Sequence, residues 1–371
     1  MRKPVVDKSN QTIVIATGGS GGHLFPAIAV AEILRNDGYS EILFLGSFGI
    51  GLEKLEQKGF ACHNLAARGL SFKNPIIAIS SIISIMRAAV SSLFLLRKIK
   101  PQTVIGFGGY GAFPVVAAAI FLKYPTMIHE QNVLPGRANH LLANFVNKIA
   151  ISFKQSEHYF NISKTVLTGC PSHITKKEVL RSETLKRFQL QDNKFTIFVF
   201  GGSQGSHRVN EIFLETAKIL KQEIDFQVIH ACGKKDYPQL KIEYEKSGIN
   251  VALFDFLDKI DEAYAVSDLV ISRAGAGTVT ELAMCERPAL LIPYPYAQAH
   301  QKENAAVLSA IKAAAIIDEN DLSAEKLKEE IFKIKNAGIL SKEVRQKLQT
   351  IYFPDAAKRI AREIVKLINE I

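Results

Sequence analysis

A histidine and a glutamate, each beside a glycine-rich turn, are the residues of this chain best placed to do chemistry. In "IATGGSGGHLFP" (residues 15–26), four glycines and a serine separate an apolar run from His23. A neutral imidazole has a reference pKa of about 6.5, which suits removal of a hydroxyl proton near neutrality. The same ring could instead cap the turn or orient an anion. Bare backbone between a strand and a helix aims free N–H groups at an anion, or else makes a tight structural turn. Leu24 stands where the third glycine of the dinucleotide fingerprint would be. In "SRAGAGTVTELAMCERPALLIPYP" (272–295), Gly275 and Gly277 free the backbone where a helix begins, and Thr278 is placed to cap it. A diphosphate would sit over those N–H groups, favoured by the helix dipole. Glu281, one turn in, can accept hydrogen bonds from both hydroxyls of a ribose; as an alternative, it is a capping glutamate.

Two more glycine turns bear on the chemistry. "GFGGYGAFP" (106–114) matches G-x-G-x-x-G through Gly106, Gly108 and Gly111, with Glu130 at the distance of an acidic ribose partner. Glu130, however, lies in "HEQN" directly after a strand and not at the bare end of a second strand–helix unit, which disfavours a nicotinamide enzyme. "GGSQGS" (201–206) repeats the opening theme. No D-x-D triplet occurs, so a metal-bridged diphosphate is not suggested. Cys62, Cys170, Cys232 and Cys285 are scattered without a C-x-x-C pair, which implies neither a zinc site nor a disulfide framework and fits a reducing cytoplasm.

The elements that must position these residues read as alternating strands and helices. Residues 12–16 form a short β-branched strand, and the helix after it is expected to start near Pro26. Further strands read at 41–45, 103–105, 126–128 and 148–152. After a polar stretch from Pro171 to Lys194 the pattern restarts at 196–199, with strands at 226–229, 251–253, 269–271 and 289–292. Setting 196–199 beside 12–15 brings the two first glycine turns into register within a residue. A parallel α/β fold of two Rossmann-like halves follows, with ligands expected beyond the carboxyl ends of the strands, in the cleft between halves. At 371 residues the chain exceeds a usual single domain, and two agree with the repeat. The boundaries fall at 1–172, 173–353 and an amphipathic terminal helix, 354–371, able to pack back on the N-terminal domain.

The net charge of +10 is uneven: through Ser172 there are 17 Lys/Arg against 8 Asp/Glu, and the remainder is nearly balanced. The N-terminal half therefore suits something anionic. Nucleic acid is not favoured, because no basic cluster is interleaved with aromatics. Residues 75–96, "PIIAISSIISIMRAAVSSLFLL", carry Arg87 as their one charge. Their length permits a membrane span, a covered core helix, or a helix lying in the membrane interface, the last aided by Arg97, Lys98 and Lys100. The opening "MRKPVVDKSNQ" lacks the apolar stretch of a signal peptide.

Six motifs in order, "GGSGGH", "GFGGYGAFP", "HEQN", "GGSQGS", "AGAGTVTE" and "HQKENA", run nearly end to end, and through them the chain resembles the MurG family. The resemblance implies the GT-B arrangement of two Rossmann-like domains and an inverting transferase. That enzyme would move GlcNAc from UDP-GlcNAc to the C4 hydroxyl of MurNAc in lipid I, the undecaprenyl-diphosphate acceptor, making lipid II for peptidoglycan, cell shape and division. It implies His23 as the catalytic base. Donor contacts carry over to Ser203 at the phosphates, Leu257 at the uracil, and Ala276, Gly277, Thr278, Val279, Thr280 and Glu281 along the diphosphate and ribose. His300 and Gln301 would reach the sugar, and Gly19, Ser20, Gly21 and Asn132 are further donor contacts. The loop 19–22 as a whole also suits the acceptor diphosphate, with Gly22, Gly108, Gly109 and Tyr110 as acceptor contacts. No cofactor or metal is implied. The implied place is peripheral, on an anionic membrane surface at the cytoplasmic face of the inner membrane. In "TGCPSH" (168–173), Cys170 and His173 replace the family's usual asparagine and arginine, so donor phosphate binding at His173 is weaker than an arginine would give. A related GT-B enzyme acting on a diacylglycerol lipid is the alternative, and a nucleotide-sugar binding protein without catalysis a more distant one.

Overall fold

The computed structural model describes residues 11–65, 75–172, 174, 176, 179–202, 204–296, 300–338 and 340–370. The chain divides into two units, Met1–His173 with Phe353–Ile371, and Ile174–Tyr352.

In the first unit, short β-branched runs make seven parallel strands: β1 (Ile13–Gly18), β2 (Ile42–Ser47), β3 (Ala61–Asn64), β4 (Thr103–Gly106), β5 (Thr126–Glu130), β6 (Lys148–Ile151) and β7 (Thr165–Leu167), in the order 3-2-1-4-5-6-7. β1, β4 and β5 are wholly buried, as central parallel strands covered on both faces must be. Between them run α1 (Gly21–Asn36), α2 (Leu52–Gln57), α3 (Pro75–Ile99), α4 (Phe113–Phe121) and α5 (Arg137–Leu142). The polar edge strand "ACHN" and the three-residue β7 were not legible as strands. Neither shows an apolar run, and pairing with β2 and β6 alone makes them strands.

The second unit repeats the plan with α6 (Arg181–Arg187), β8 (Phe195–Phe200), α7 (His207–Leu220), β9 (Phe226–Ala231), α8 (Tyr237–Ser247), β10 (Val251–Phe254), α9 (Ile260–Val266), β11 (Leu269–Ser272), α10 (Ala276–Cys285), β12 (Ala289–Leu291), α11 (His300–Ser309), β13 (Ala314–Ile316), α12 (Ala324–Ala337) and α13 (Lys342–Leu348). Its order is 3-2-1-4-5-6 in chain sequence, β10-β9-β8-β11-β12-β13. In both sheets the order of strand addition thus reverses between the first and fourth strands, where an open α/β sheet binds its ligand. The polar stretch before β8 contains α6, held to the sheet by Arg181, which donates to Asp268 at 2.9 Å and to the carbonyl of Val266.

One expectation changes, and two that stood open are narrowed. The first helix begins at Gly21, not near Pro26; the proline sits inside it, where its missing N–H costs the bond to the Gly22 carbonyl. The last helix, α14 (Ala356–Asn369), packs on the first unit, with Ile360, Ile364 and Leu367 in one core with Ile13 and Ile15. α3 is not a covered core helix: Ile79, Ile82, Ile83, Met86, Val90 and Phe94 are exposed, while Ser81, Ala88, Ser92 and Leu96 are buried. Ser81, Ala88 and Ser92 face the protein together with Leu96, while six large apolar side chains face outward, the inverse of a soluble amphipathic helix.

Candidate functional site

In the first unit the turns after β1 and β4 meet at the switch point. Gly18 N–H donates to the Gly108 carbonyl at 3.2 Å, and Phe107 N–H to the Ala16 carbonyl at 2.7 Å. Gly108 and Gly109 have φ near +80°, and a side chain on either would press on the ring of His23. Gly19 is required by the fold, because a Cβ there would strike the Phe48 carbonyl at 1.9 Å. Gly22 is not: a Cβ there would meet no atom within 4 Å. Ser20 is the N-cap of α1 without a side-chain hydrogen bond, so the N–H groups of Gly21 and Gly22 have no partner within the helix. That is an anion cradle with room beside it. Tyr110 lies next to it, 41% exposed.

His23, the third residue of α1, is part-buried, its Nδ1 3.1 Å from Oε1 of Gln131. Gln131 Nε2 lies 2.8 Å from the Phe107 carbonyl and 3.1 Å from Nδ1 of His129. His129 Nε2 lies 3.1 Å from the Gly169 carbonyl. Burial pushes the His129 imidazole down to about 4, so it is neutral at physiological pH. Glu130 accepts from the backbone N–H of Asn132 and Gly136 and from the side chains of Asn132 and Asn139. Its carboxylate builds the 130–139 loop and does not await a ribose, which removes the dinucleotide reading of "GFGGYG". Asn132 is part-exposed, its carbonyl taken by Ser156 at 3.0 Å.

In the second unit, α10 starts at β11's carboxyl end with Gly275 as an N-cap lacking a side-chain bond. Thr278 lies inside the first turn and does not cap the helix. The N–H groups of Ala276, Gly277 and Thr278 are therefore the ones with no partner inside the helix. Val279 is fully buried and its N–H bonds the Gly275 carbonyl, and the Thr280 hydroxyl bonds the Ala276 carbonyl at 3.0 Å, so both lie in the hydrogen-bonded part of this helix. Glu281 is 5% exposed and accepts from the Tyr264 hydroxyl at 3.0 Å. Burial raises its carboxyl to about 7, the tyrosine bond opposing that shift. Gln301 Oε1 accepts from the N–H of Ala274 and Tyr294, at 3.2 and 2.9 Å, tying the 274 turn to the loop after β12. His300 is the first residue of α11 beside it, and Leu257 lies in the loop following β10, at the same end of the sheet. Ser203 and His173 lie outside the described residues; Cys170 is buried.

Four contributors were missed. Arg273 donates to Ser206 Oγ at 2.8 Å and to the Ile292 carbonyl at 3.1 Å, and pairs with Glu319. Asn304 donates to the Ala274 carbonyl at 3.2 Å, Tyr264 supports Glu281, and Gln131 holds His23. Arg273, Asn304 and Gln131 stood within quoted motifs, so a polar side chain inside a motif was the available signal. Tyr264 and Gln131 act across long sequence separations that no local pattern reveals. Among the described residues no cluster of histidine, cysteine or carboxylate side chains is arranged to hold a metal.

The chain matches the glycosyltransferase family 28 N-terminal domain over residues 13–151 and the glycosyltransferase family 28 C-terminal domain over 196–360. A Halothermothrix orenii protein named UDP-N-acetylglucosamine--N-acetylmuramyl-(pentapeptide) pyrophosphoryl-undecaprenol N-acetylglucosamine transferase is 38% identical, over 90% of this chain and 93% of that one. The Bacillus subtilis protein of the same name is 34% identical, over 94% and 97%. The crystal structure of Acinetobacter baumannii MurG superposes with a TM-score of 0.77 at 27% identity, covering 96% of this chain and 99% of that one.

Proposed function

The chain belongs to the MurG family of family 28 glycosyltransferases, and on that premise we propose that it transfers GlcNAc from UDP-GlcNAc to lipid I, making lipid II for peptidoglycan. The observation that carries the reading is the pair of uncapped helix N-termini, each placed at its own sheet's switch point, with His23 beside one and Glu281 beneath the other. One helix start suits the acceptor's diphosphate and the other the donor's. The MurNAc C4 oxygen forms its bond to the anomeric carbon, its proton passes to His23 Nε2, and the electron pair of the breaking bond leaves with UDP. The N–H groups of Ala276, Gly277 and Thr278 stabilise the charge that develops on the leaving diphosphate. A diacylglycerol acceptor would leave the cradle at Gly21 and Gly22 without an anion to fill it, and the relatives that match this chain end to end carry the lipid I name.

The outward apolar face of α3, with exposed Arg87, Arg97 and Lys98 on the same helix, supports peripheral docking on an anionic membrane at its cytoplasmic face. α3 meets the length and composition of a span from Ile79 to Ile99. Its serine-bearing face packed toward the protein favours a helix that lies in the interface. Incubation with radiolabelled UDP-GlcNAc and a lipid I analogue tests the activity: a labelled disaccharide lipid is expected, and transfer to diacylglycerol but not to the analogue would overturn the reading.

A further inference from the structure

We propose that Gln131 is a positioning residue that fixes the tautomer of His23, placing the proton on Nδ1 and leaving the Nε2 lone pair as the base. The inference rests on the reading of His23 as the group that takes the acceptor's proton.

The direction of each hydrogen bond follows from groups that have no choice. A backbone carbonyl can only accept. The Phe107 carbonyl, 2.8 Å from the Gln131 side chain, therefore requires the NH2 end of that amide and fixes its orientation. At the other end of the chain of bonds, the Gly169 carbonyl at 3.1 Å requires that His129 carry its proton on Nε2. Ser152 agrees: its hydroxyl donates to the Glu130 carbonyl at 2.9 Å, so toward His129 Nε2, 3.4 Å away, it can only accept. His129 Nδ1 is then a lone pair, and it receives the second N–H of Gln131 at 3.1 Å. Both anchors give the same amide orientation. The burial that keeps His129 neutral preserves this pattern across the physiological range.

Gln131 has only its oxygen left for His23. At 3.1 Å from Nδ1 that oxygen accepts, so Nδ1 must carry the proton. A free histidine favours the opposite tautomer, whose Nε2–H can only donate to the incoming hydroxyl and has no lone pair to take its proton. When Nε2 takes the substrate's proton, the imidazolium keeps its Nδ1–H on the same neutral oxygen, and no group need reorient. In this respect an amide does for His23 what a carboxylate does for the histidine of a serine hydrolase.

The test uses the full-length protein labelled with 15N-histidine, without substrate. The His23 signals are those absent from His23→Gln. Long-range proton–nitrogen correlation above the titration range should show a protonated, pyrrole-type Nδ1 and a pyridine-type Nε2; a protonated Nε2 would overturn the proposal, whatever the activity. Gln131→Leu should shift His23 toward the other tautomer. It should lower kcat by roughly 10- to 100-fold with both KM values within about threefold, part of what a general base contributes. Gln131→Glu, which still accepts from Nδ1, should keep the tautomer and more of kcat than the leucine variant. Unchanged tautomer and kcat in Gln131→Leu would also overturn it. A wild-type protein with the expected tautomer and no transfer to lipid I would instead sink the functional reading and leave the tautomer assignment standing.

Discussion

Burial holds the Glu281 carboxyl at about 7 even though the Tyr264 hydroxyl donates to it. Because its folded value lies above the unfolded one, near 4.5, its stabilising contribution is full below that value and is lost as pH rises through about 7. Ribose hydroxyls donate more strongly to a carboxylate than to a neutral acid. Donor binding should therefore expel a proton, and affinity for UDP-GlcNAc should climb between about pH 6 and 8. Titration calorimetry in buffers of different ionisation enthalpy reads that proton directly. Glu281→Ala should remove the pH dependence and weaken binding by about 1.5–3 kcal/mol; unchanged affinity in the folded variant would free Glu281 from the donor site. His23 makes the opposite kind of contribution. His23→Ala should leave donor affinity nearly intact, since the helix start and Glu281 in the second unit are untouched, while kcat falls by on the order of 10²–10⁴. A loss under about tenfold with a raised acceptor KM would make His23 a phosphate-orienting residue instead. Both residues were legible because each adjoins a glycine turn that a strand and a helix frame. The groups that tune them were not: Gln131 is 108 positions from His23 and Tyr264 is 17 from Glu281. Folding brings them together, and no local period encodes it.

At the scale of the element, α3 shows how composition can leave a placement open. Hydropathy alone admits a span, a core helix and an interfacial helix, since that measure does not say which face the large side chains take. The serines show which face packs inward: Ser81 and Ser92 are buried, the latter bonding the Ala88 carbonyl at 2.7 Å, and Ile79, Ile82 and Ile83 are left outside. Phe121 on α4, Leu141 on α5 and Phe145 just after it are exposed as well. Met86 and Phe94, 63% and 68% exposed, have little to lose in folding if changed to glutamate. Burying one such side chain is worth about 1.5–3 kcal/mol, so Phe94→Glu or Met86→Glu should cut vesicle partitioning about tenfold or more without lowering thermal stability. Wild-type binding to anionic vesicles should also weaken with salt, as the basic residues are screened. Equal sedimentation with neutral and anionic vesicles at every salt concentration would remove the electrostatic part. Resistance to both salt and carbonate extraction would favour a span. The boundaries of β3 and β7 were less legible for a related reason: an edge strand is made by its partner's backbone, not by its own apolar pattern.

At the scale of the whole molecule, the repeat was plain in the sequence because residues 196–199 and the glycine turn after them align within a residue with residues 12–15 and theirs. Less plain was the ownership of the C-terminal helix, whose amphipathic face would fit any apolar surface of the right width. It returns to the first unit, where Ile360 and Ile364 are fully buried against β1 and α1 and Lys148 on β6 pairs with Glu363 at 3.1 Å. The first unit is thus made from two distant pieces of chain, with the second unit inserted between them. A cavity introduced in α14 should accordingly weaken the unit that carries His23 and spare the one that carries Glu281. Ile364→Ala removes a fully buried side chain and should cost about 2–5 kcal/mol there. Hydrogen exchange resolves the two units without assuming separate melting transitions: amides of β1 and β4 should lose protection, while those of β8 and β11 keep theirs. UDP-GlcNAc should still bind the variant with wild-type affinity. Equal loss of protection in both sheets, or weakened donor binding, would mean that α14 supports the second unit as well, and that the stabilities of the two units are not separable.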